Sequence, residues 1–285
     1  MLGFLNIYKP KGITSHDVIH KLRKALKIKK IGHAGTLDPL AEGVLPVAIS
    51  YATKLIDFLP EDKEYIADFK FGYTSLSYDA ETELEKFSDK TATLNDVENI
   101  LPEFFGDIKQ RPPIYSAIKV GGQKLYELAR NGVSDVEVPE RTINVSKIEP
   151  INFDENTQTG KILIACSKGT YIRSIINDIG QRLGVGAVMT SLIRSKSGGM
   201  SVENSVNVND ITDVDVAQKY LINLDKVFNF ASVEIDDVEL ERVKNGNSIR
   251  RNISDGFAFI VYNSEIIAFA EISSSKVKIK KVFLQ

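Results

Sequence analysis

The strongest constraint on the fold lies at residues 64–72, where Tyr65, Ala67, Phe69 and Phe71 alternate with Ile66, Asp68 and Lys70. A period of two sends the first set to one face of a strand and the second to the other, so this segment reads as a half-buried strand of a covered sheet. Residues 44–50 and 161–167 read as further, more uniformly buried strands. Helices are marked by their caps. Thr14 precedes Asp17 by three residues and leads into Val18, Leu22, Ala25 and Leu26, and Thr93 stands in the same relation to Asp96 ahead of Leu94, Val97, Ile100, Leu101 and Phe104. That second pattern predicts a helix over 93–105. Ile172, Ile175, Ile176, Ile179 and Leu183 predict a third helix over 171–183, closed by Gly184.

After about Leu224 the pattern changes to short strands at 257–262, 265–272 and 277–284, with an Asn263-Ser264 turn. The chain therefore reads as a mixed α and β body at 1–224 and a small β-rich module at 225–285. Residues 114–132, with a Gly121-Gly122 turn flanked by lysines, look like a protruding, partly basic excursion. The 12-residue stretch 32–43, GHAGTLDPLAEG, contains three glycines and a proline and is expected to be a loop.

Composition narrows the class. Of 285 residues 43% are hydrophobic, which suits a globular chain, and no run of about 18 apolar residues could span a bilayer. Met1 to Pro10 lacks a secretory-signal pattern, so a cytoplasmic protein is expected. The single cysteine, Cys166, cannot form an intramolecular disulfide and is expected in the core. A net charge of −2 argues against a uniformly basic nucleic-acid binder, but the charges are segregated. Lysines and arginines gather at 21–30, 109–124 and 242–251, and acids at 79–89 and 210–215, which permits one basic face.

For chemistry, Asp38 stands out. Pro39 biases it toward an extended backbone, and the flanking glycines allow a tight loop that presents the carboxylate rigidly. On spacing alone a turn-stabilising role is the favoured reading, with nucleophile, general base and metal ligand as the alternatives. A zinc site has little support, since His16 and His20 share a helix face but stand in the string HDVIH, not HExxH. Neither GxxxxGK[ST] nor GxGxxG occurs, so a nucleotide cofactor has no support. No metal and no cofactor are expected.

The segment GHAGTLDPLAEGVLP at 32–46 resembles the signature of the bacterial tRNA pseudouridine synthase B (TruB) family. Ordered matches accompany it: NIYKPKGITS at 6–15, KEYIADFKFG at 63–72, PIYSAIKVGGQKLYELAR at 113–130, CSKGTYIRSIINDIG at 166–180 and VKNGNSIR at 243–250. The resemblance implies an α+β fold with a mixed, mainly antiparallel sheet, a thumb-like insertion at about 106–135 and a C-terminal PUA-like module. It implies isomerisation of uridine to pseudouridine at position 55, in the T arm of tRNA, without a cofactor.

Carried over by position, the resemblance makes Asp38 the nucleophile and Arg173 its salt-bridge partner. Tyr65 would stack on the flipped base and is a candidate for the group that completes proton transfer. His33, Tyr171 and Leu192 would shape the pocket, and Lys9, Lys119 and Lys124 would contact RNA. Flipped bases are held in this way by aromatic rings and polar edges. Asp79, in SYDAET, fits a family acidic position, but its surroundings depart from the family pattern, so no catalytic role is assigned to it. The expected partner is tRNA, bound by a monomer. The rival readings are a tRNA-binding or folding module without chemistry, and a synthase acting on another structured RNA.

Overall fold

The computed structural model describes residues 1–116, 118–120, 122–125 and 138–283. The alternation at 64–72 forms the strand Lys63–Phe71, near the middle of a large mixed sheet. Along the main path the order is Val206–Asn207, Gly3–Lys9, Ala41–Ile49, Ala187–Ser197, Lys63–Phe71, Thr159–Cys166, Arg141–Asp154 and Gly106–Gln110. Two of these pairings are parallel, Gly3–Lys9 with Val206–Asn207 and Ala41–Ile49 with Ala187–Ser197; the rest are antiparallel. The fold is α+β with a mixed, mainly antiparallel sheet.

The buried face of the central strands carries Tyr65, Ala67, Phe69 and Phe71 against Ile172, Ile175, Ile176 and Ile179 of the helix Ile172–Leu183. That helix ends where Gly184 takes a left-handed conformation, φ 69°, which glycine adopts without Cβ strain. The helix Ser15–Leu26 begins at a complete Thr14–Asp17 capping box and buries Val18, Ile19, Leu22 and Leu26 against Leu5, Ile7 and Leu45. Cys166 is buried, 2% exposed.

Two expectations need correction, and one element had no counterpart in the sequence reading. The stretch 32–43 is not all loop, because Ile31–His33 pairs with Ala41–Ile49, which leaves only 34–40 irregular. The helix expected over 93–105 is α-helical only over Leu94–Ile100 and tightens to a 3-10 turn at Leu101–Phe104. Pro102 explains this, since it lacks an N–H and its ring clashes with the carbonyl four residues back in an α-helix. The long strand Arg141–Asp154 was not anticipated. Much of it is exposed, and Pro150 lies beyond the stretch 141–145 that pairs with Gly106–Gln110, so its missing N–H leaves no partner unsatisfied on that side.

The C-terminal strands form a second sheet in the order Ala231–Glu234, Gly256–Tyr262, Glu265–Ser273, Lys276–Val282 and Ile249–Arg250. Asn263 and Ser264 both have positive φ, 48° and 65°, as a two-residue hairpin turn of the primed type demands. Phe259 and Phe269 from this sheet, with Phe283 just past its strand Lys276–Val282, pack with Phe4, Val44, Ala48 and Leu55, so it shares a core with the back of the main sheet. In the expected insertion, Lys119–Val120 and Gln123–Lys124 pair as a short hairpin. Residues 126–137 and the side chains of Lys119 and Lys124 lie outside the described residues.

Candidate active site

Asp38 lies on the short loop between Ile31–His33 and Ala41–Ile49, and several hydrogen bonds pin that loop. The Ser15 hydroxyl donates to the Leu37 carbonyl at 3.2 Å and accepts from the Leu37 N–H at 2.8 Å. The Gly12 N–H donates to the Pro39 carbonyl, and the Ala41 N–H to the Asp38 carbonyl. From the opposite side the fully buried Arg194 donates through Nε to the Val44 carbonyl (2.7 Å) and through Nη2 to the Gly35 carbonyl (3.0 Å). One arginine thus ties both ends of the loop. Gly43 is required at the exit, since its φ is 105° and a Cβ there would lie 2.4 Å from the Arg194 carbonyl oxygen.

The Asp38 carboxylate meets Arg173 at 2.9 Å. Arg173 comes from the first turn of Ile172–Leu183, and its buried guanidinium also donates to the carbonyls of Ser77 (3.2 Å) and Tyr115 (3.1 Å). A second carboxylate, Asp79, fully buried, stands 3.3 Å from Arg173 Nη1. Asp79 Oδ1 accepts from the Ser77 hydroxyl at 2.5 Å and the Glu81 N–H at 3.0 Å, whereas Oδ2 has no hydrogen bond and only the charge of Arg173. The preceding residue, Tyr78, has φ 62°, an uncommon conformation for a bulky residue that positions the turn. Burial, then the charges of Asp79 and Asp38, push the Glu81 carboxyl up.

A pocket opens over this ion pair, lined by Thr36, Leu37, Asp38, Tyr65, Thr170, Tyr171, Ile172, Arg173 and Leu192. Tyr65 and Leu192 come from adjacent strands, and Thr170 to Arg173 enter at the N-terminus of a 12-residue helix, where backbone dipoles favour negative charge. Burial pushes the Tyr65 phenol up, and Arg194 partly offsets this. The backbone of Tyr171 is held by Gln110, whose side chain accepts from its N–H (2.8 Å) and donates to its carbonyl (2.9 Å).

The structure thus brings together Asp38, Tyr65, Tyr171, Arg173 and Leu192, which come from four separate stretches of the sequence. His33 stands outside this lining, on the strand that leads into the loop; burial, Arg194 and His16 push its imidazole down. Lys9 is not at the surface, as an RNA contact requires, but 0% exposed, with its ammonium donating to the carbonyls of Pro10 (3.0 Å) and Ile13 (2.6 Å). Asp79, set aside on sequence, joins the site through Arg173. Arg194 and Gln110 were missed, and only the strand SLIRS hinted that Arg194 would face inward. Among the described residues no group of three or more His, Cys, Asp or Glu side chains is arranged to hold a metal, and no helix is long and apolar enough to cross a membrane.

Residues 23–172 match the family model described as TruB family pseudouridylate synthase (N terminal domain), and residues 173–229 match that of the tRNA pseudouridylate synthase B C-terminal domain. Among relatives, the chain is 43% identical to tRNA pseudouridine synthase B of Clostridium tetani, over 88% of this chain and 86% of that one. It is 42% identical to the Lactobacillus johnsonii protein of that name over 93% of both, and 40% identical to that of Clostridium acetobutylicum over 99% of both. Among solved structures it is similar to a chain of a Cbf5-Nop10-Gar1 complex, with TM-score 0.72 and 28% identity over 99% of this chain and 85% of that chain. A chain of an H/ACA RNP bound to a substrate RNA containing 2′-deoxyuridine gives TM-score 0.71 and 26% identity, with the same coverage.

Proposed function

The chain belongs to the TruB family of tRNA pseudouridine synthases, isomerases that convert uridine to pseudouridine in tRNA, and from that premise we propose that it acts on the uridine at position 55 with Asp38 as its nucleophile. The observation that carries this reading is the Asp38–Arg173 pair on the pocket wall: the carboxylate is 42% exposed and can reach a substrate, while the guanidinium that orients it is 6% exposed.

Conversion of uridine to pseudouridine breaks the N1–C1′ bond and forms a C5–C1′ bond, and the proton lost from C5 is balanced by one gained at N1. A carboxylate can open this sequence by attack on ribose C1′ or on C6 of the base, and either route requires the base to leave the stack. Tyr65 and Tyr171 supply aromatic faces for the extruded base, and Leu192 closes the wall beside them. At neutral pH Tyr65 is a phenol, raised further by burial. To accept the C5 proton it would have to pass through a phenolate, which the neighbouring Arg194 cation stabilises.

In this reading RNA is gripped by the 106–135 insertion, through Lys119 and Lys124, and by the 225–285 module, and the protein acts as a monomer without a protein partner or cofactor. The test is an unmodified tRNA transcript incubated with the protein and with Asp38→Asn, followed by carbodiimide-dependent reverse-transcription stops. A stop at the T-loop uridine with the native protein alone supports the reading. Binding without a stop would favour a module without chemistry. A guided activity, suggested by the likeness to a chain of an H/ACA RNP, would leave a bare T-arm stem-loop unmodified.

A further inference from the structure

Three stretches of chain that line the pocket also line a second cleft a few residues upstream. Thr36 to Asp38, Tyr65, and Thr170 to Arg173 border the pocket, while Gly35, Lys63 and Lys168 border a cleft of about 300 Å³ whose wall includes Ser197 and Gly198. Lys63 and Tyr65 are alternate residues of one strand and share a face, so their side chains emerge about 7 Å apart.

The cleft is lined by two carboxylates, Asp57 and Glu61, and two ammonium groups, Lys63 and Lys168. Among the described residues no carboxylate lies within ion-pair distance of Lys63, and Glu61, whose charge reaches it, is already paired with Lys168. Arg194, fully buried, has an Nη1 without a hydrogen-bond partner. Both cations converge on the backbone of Gly35: a Cβ built there would lie 3.2 Å from Lys63 Nζ and 3.4 Å from Arg194 Nη1. Gly35, with φ 75°, leaves open the space that any side chain would take from them. Two such cations, one of them buried and partly unsatisfied, stand together at Gly35, and among the described residues neither is in an ion pair, although Asp57 and Glu61 line the same cleft.

We propose that this cleft is a phosphodiester subsite, in which Lys63 receives the RNA backbone phosphate next to the flipped nucleotide while Arg194 adds positive potential from behind Gly35. The proposal rests on the reading of the Asp38 pocket as the seat of the target uridine, and it supplies the anchor that holds the strand while the base turns. Burial and Arg194 both push the Lys63 ammonium down, and a phosphate beside it would act in the opposite direction.

The test measures tRNA affinity against salt concentration in an Asp38→Asn background, which keeps the substrate unchanged. Lys63→Met is expected to lower the slope of log affinity against log salt by about 0.7–0.9, the signature of one phosphate contact, and to weaken binding severalfold, whereas Lys63→Arg retains both. An unchanged slope in a folded Lys63→Met protein overturns the proposal. Ethylation interference with unaltered Lys63 gives a second readout: modification of the phosphate beside the target uridine is expected to block binding. Absence of that interference overturns the proposal even where Lys63→Met does not fold. A tRNA that binds with this pattern but is never isomerised by the native protein would instead count against the reading of the pocket.

Discussion

The Arg173 guanidinium, 6% exposed, holds the 42% exposed Asp38 carboxylate at 2.9 Å, so the pair has one buried end and one end open to the pocket. The buried end is fixed by two carbonyls and by Asp79, and the open end is free to meet a substrate. Arg173→Lys tests this arrangement. An ammonium cannot reproduce the planar fork that reaches Asp38, Asp79 and two carbonyls at once. The isomerisation rate under single-turnover conditions is expected to fall on the order of 10²–10³-fold, with tRNA affinity changed little.

Asp79 touches no solvent and acts only through Arg173. Asp79→Asn preserves shape and the Oδ1 hydrogen bonds but removes the second charge, which leaves Arg173 to Asp38 alone. A rate loss on the order of tenfold, about 1.4 kcal/mol, with unchanged tRNA affinity is expected. A loss of affinity equal to the loss of rate would show instead that the turn around Tyr78 had moved.

Gly43→Ala places a Cβ against the Arg194 carbonyl at a backbone angle that L-residues rarely adopt. We expect at least about 2 kcal/mol of destabilisation, read as a lower urea midpoint. Activity of the remaining folded protein should fall further, because Gly43 lies at the start of the strand into which the Asp38 loop runs.

Lys9 couples stability to pH. Burial lowers its ammonium from 10.5 to about 8, so between those values the unfolded chain holds the proton that the folded chain has released. Stability then rises with pH across that window, by up to roughly 3 kcal/mol from this group. Tyr8, pushed up to about 12, and Cys166, pushed up to about 11, act in the opposite direction in the alkaline range. The contribution of Lys9 is therefore the difference between the native protein and Lys9→Met, which should grow from pH 8 to 10 in urea titrations. A difference constant with pH would mean that Lys9 titrates as an ordinary lysine.

Cys166 combines 2% exposure with a thiol raised to about 11 by burial. Thiolate is the reactive form, so native protein at pH 8 should resist alkylation by iodoacetamide for hours and react fully in urea. Labelling of the folded protein at the rate of a free thiol would place that end of the strand Thr159–Cys166 in solvent.

The sequence by itself determined the elements whose causes are local. The Thr14–Asp17 box starts a helix because its donors are satisfied within four residues, the alternation from Tyr65 to Phe71 makes a strand because one face must be buried, and Gly184 ends a helix because it tolerates a positive φ. The family motifs pointed to Asp38 and Arg173 as well. The sequence was silent where the cause was distant. Whether Lys9 faced RNA or the interior depended on the carbonyls of Pro10 and Ile13 and on the packing around them, and the break at Leu101 depended on how Pro102 could be accommodated at the end of a packed helix.

Only the tertiary structure decided the company that each charge keeps. Asp79 reaches Arg173 from 94 residues away, and Arg194 reaches Gly35 from 159 residues away, so neither relation leaves a periodic or spaced trace in the chain. Propensity, capping and alternation act over a few residues, whereas the placement of a buried charge is set by which carbonyls and carboxylates the whole sheet delivers to it.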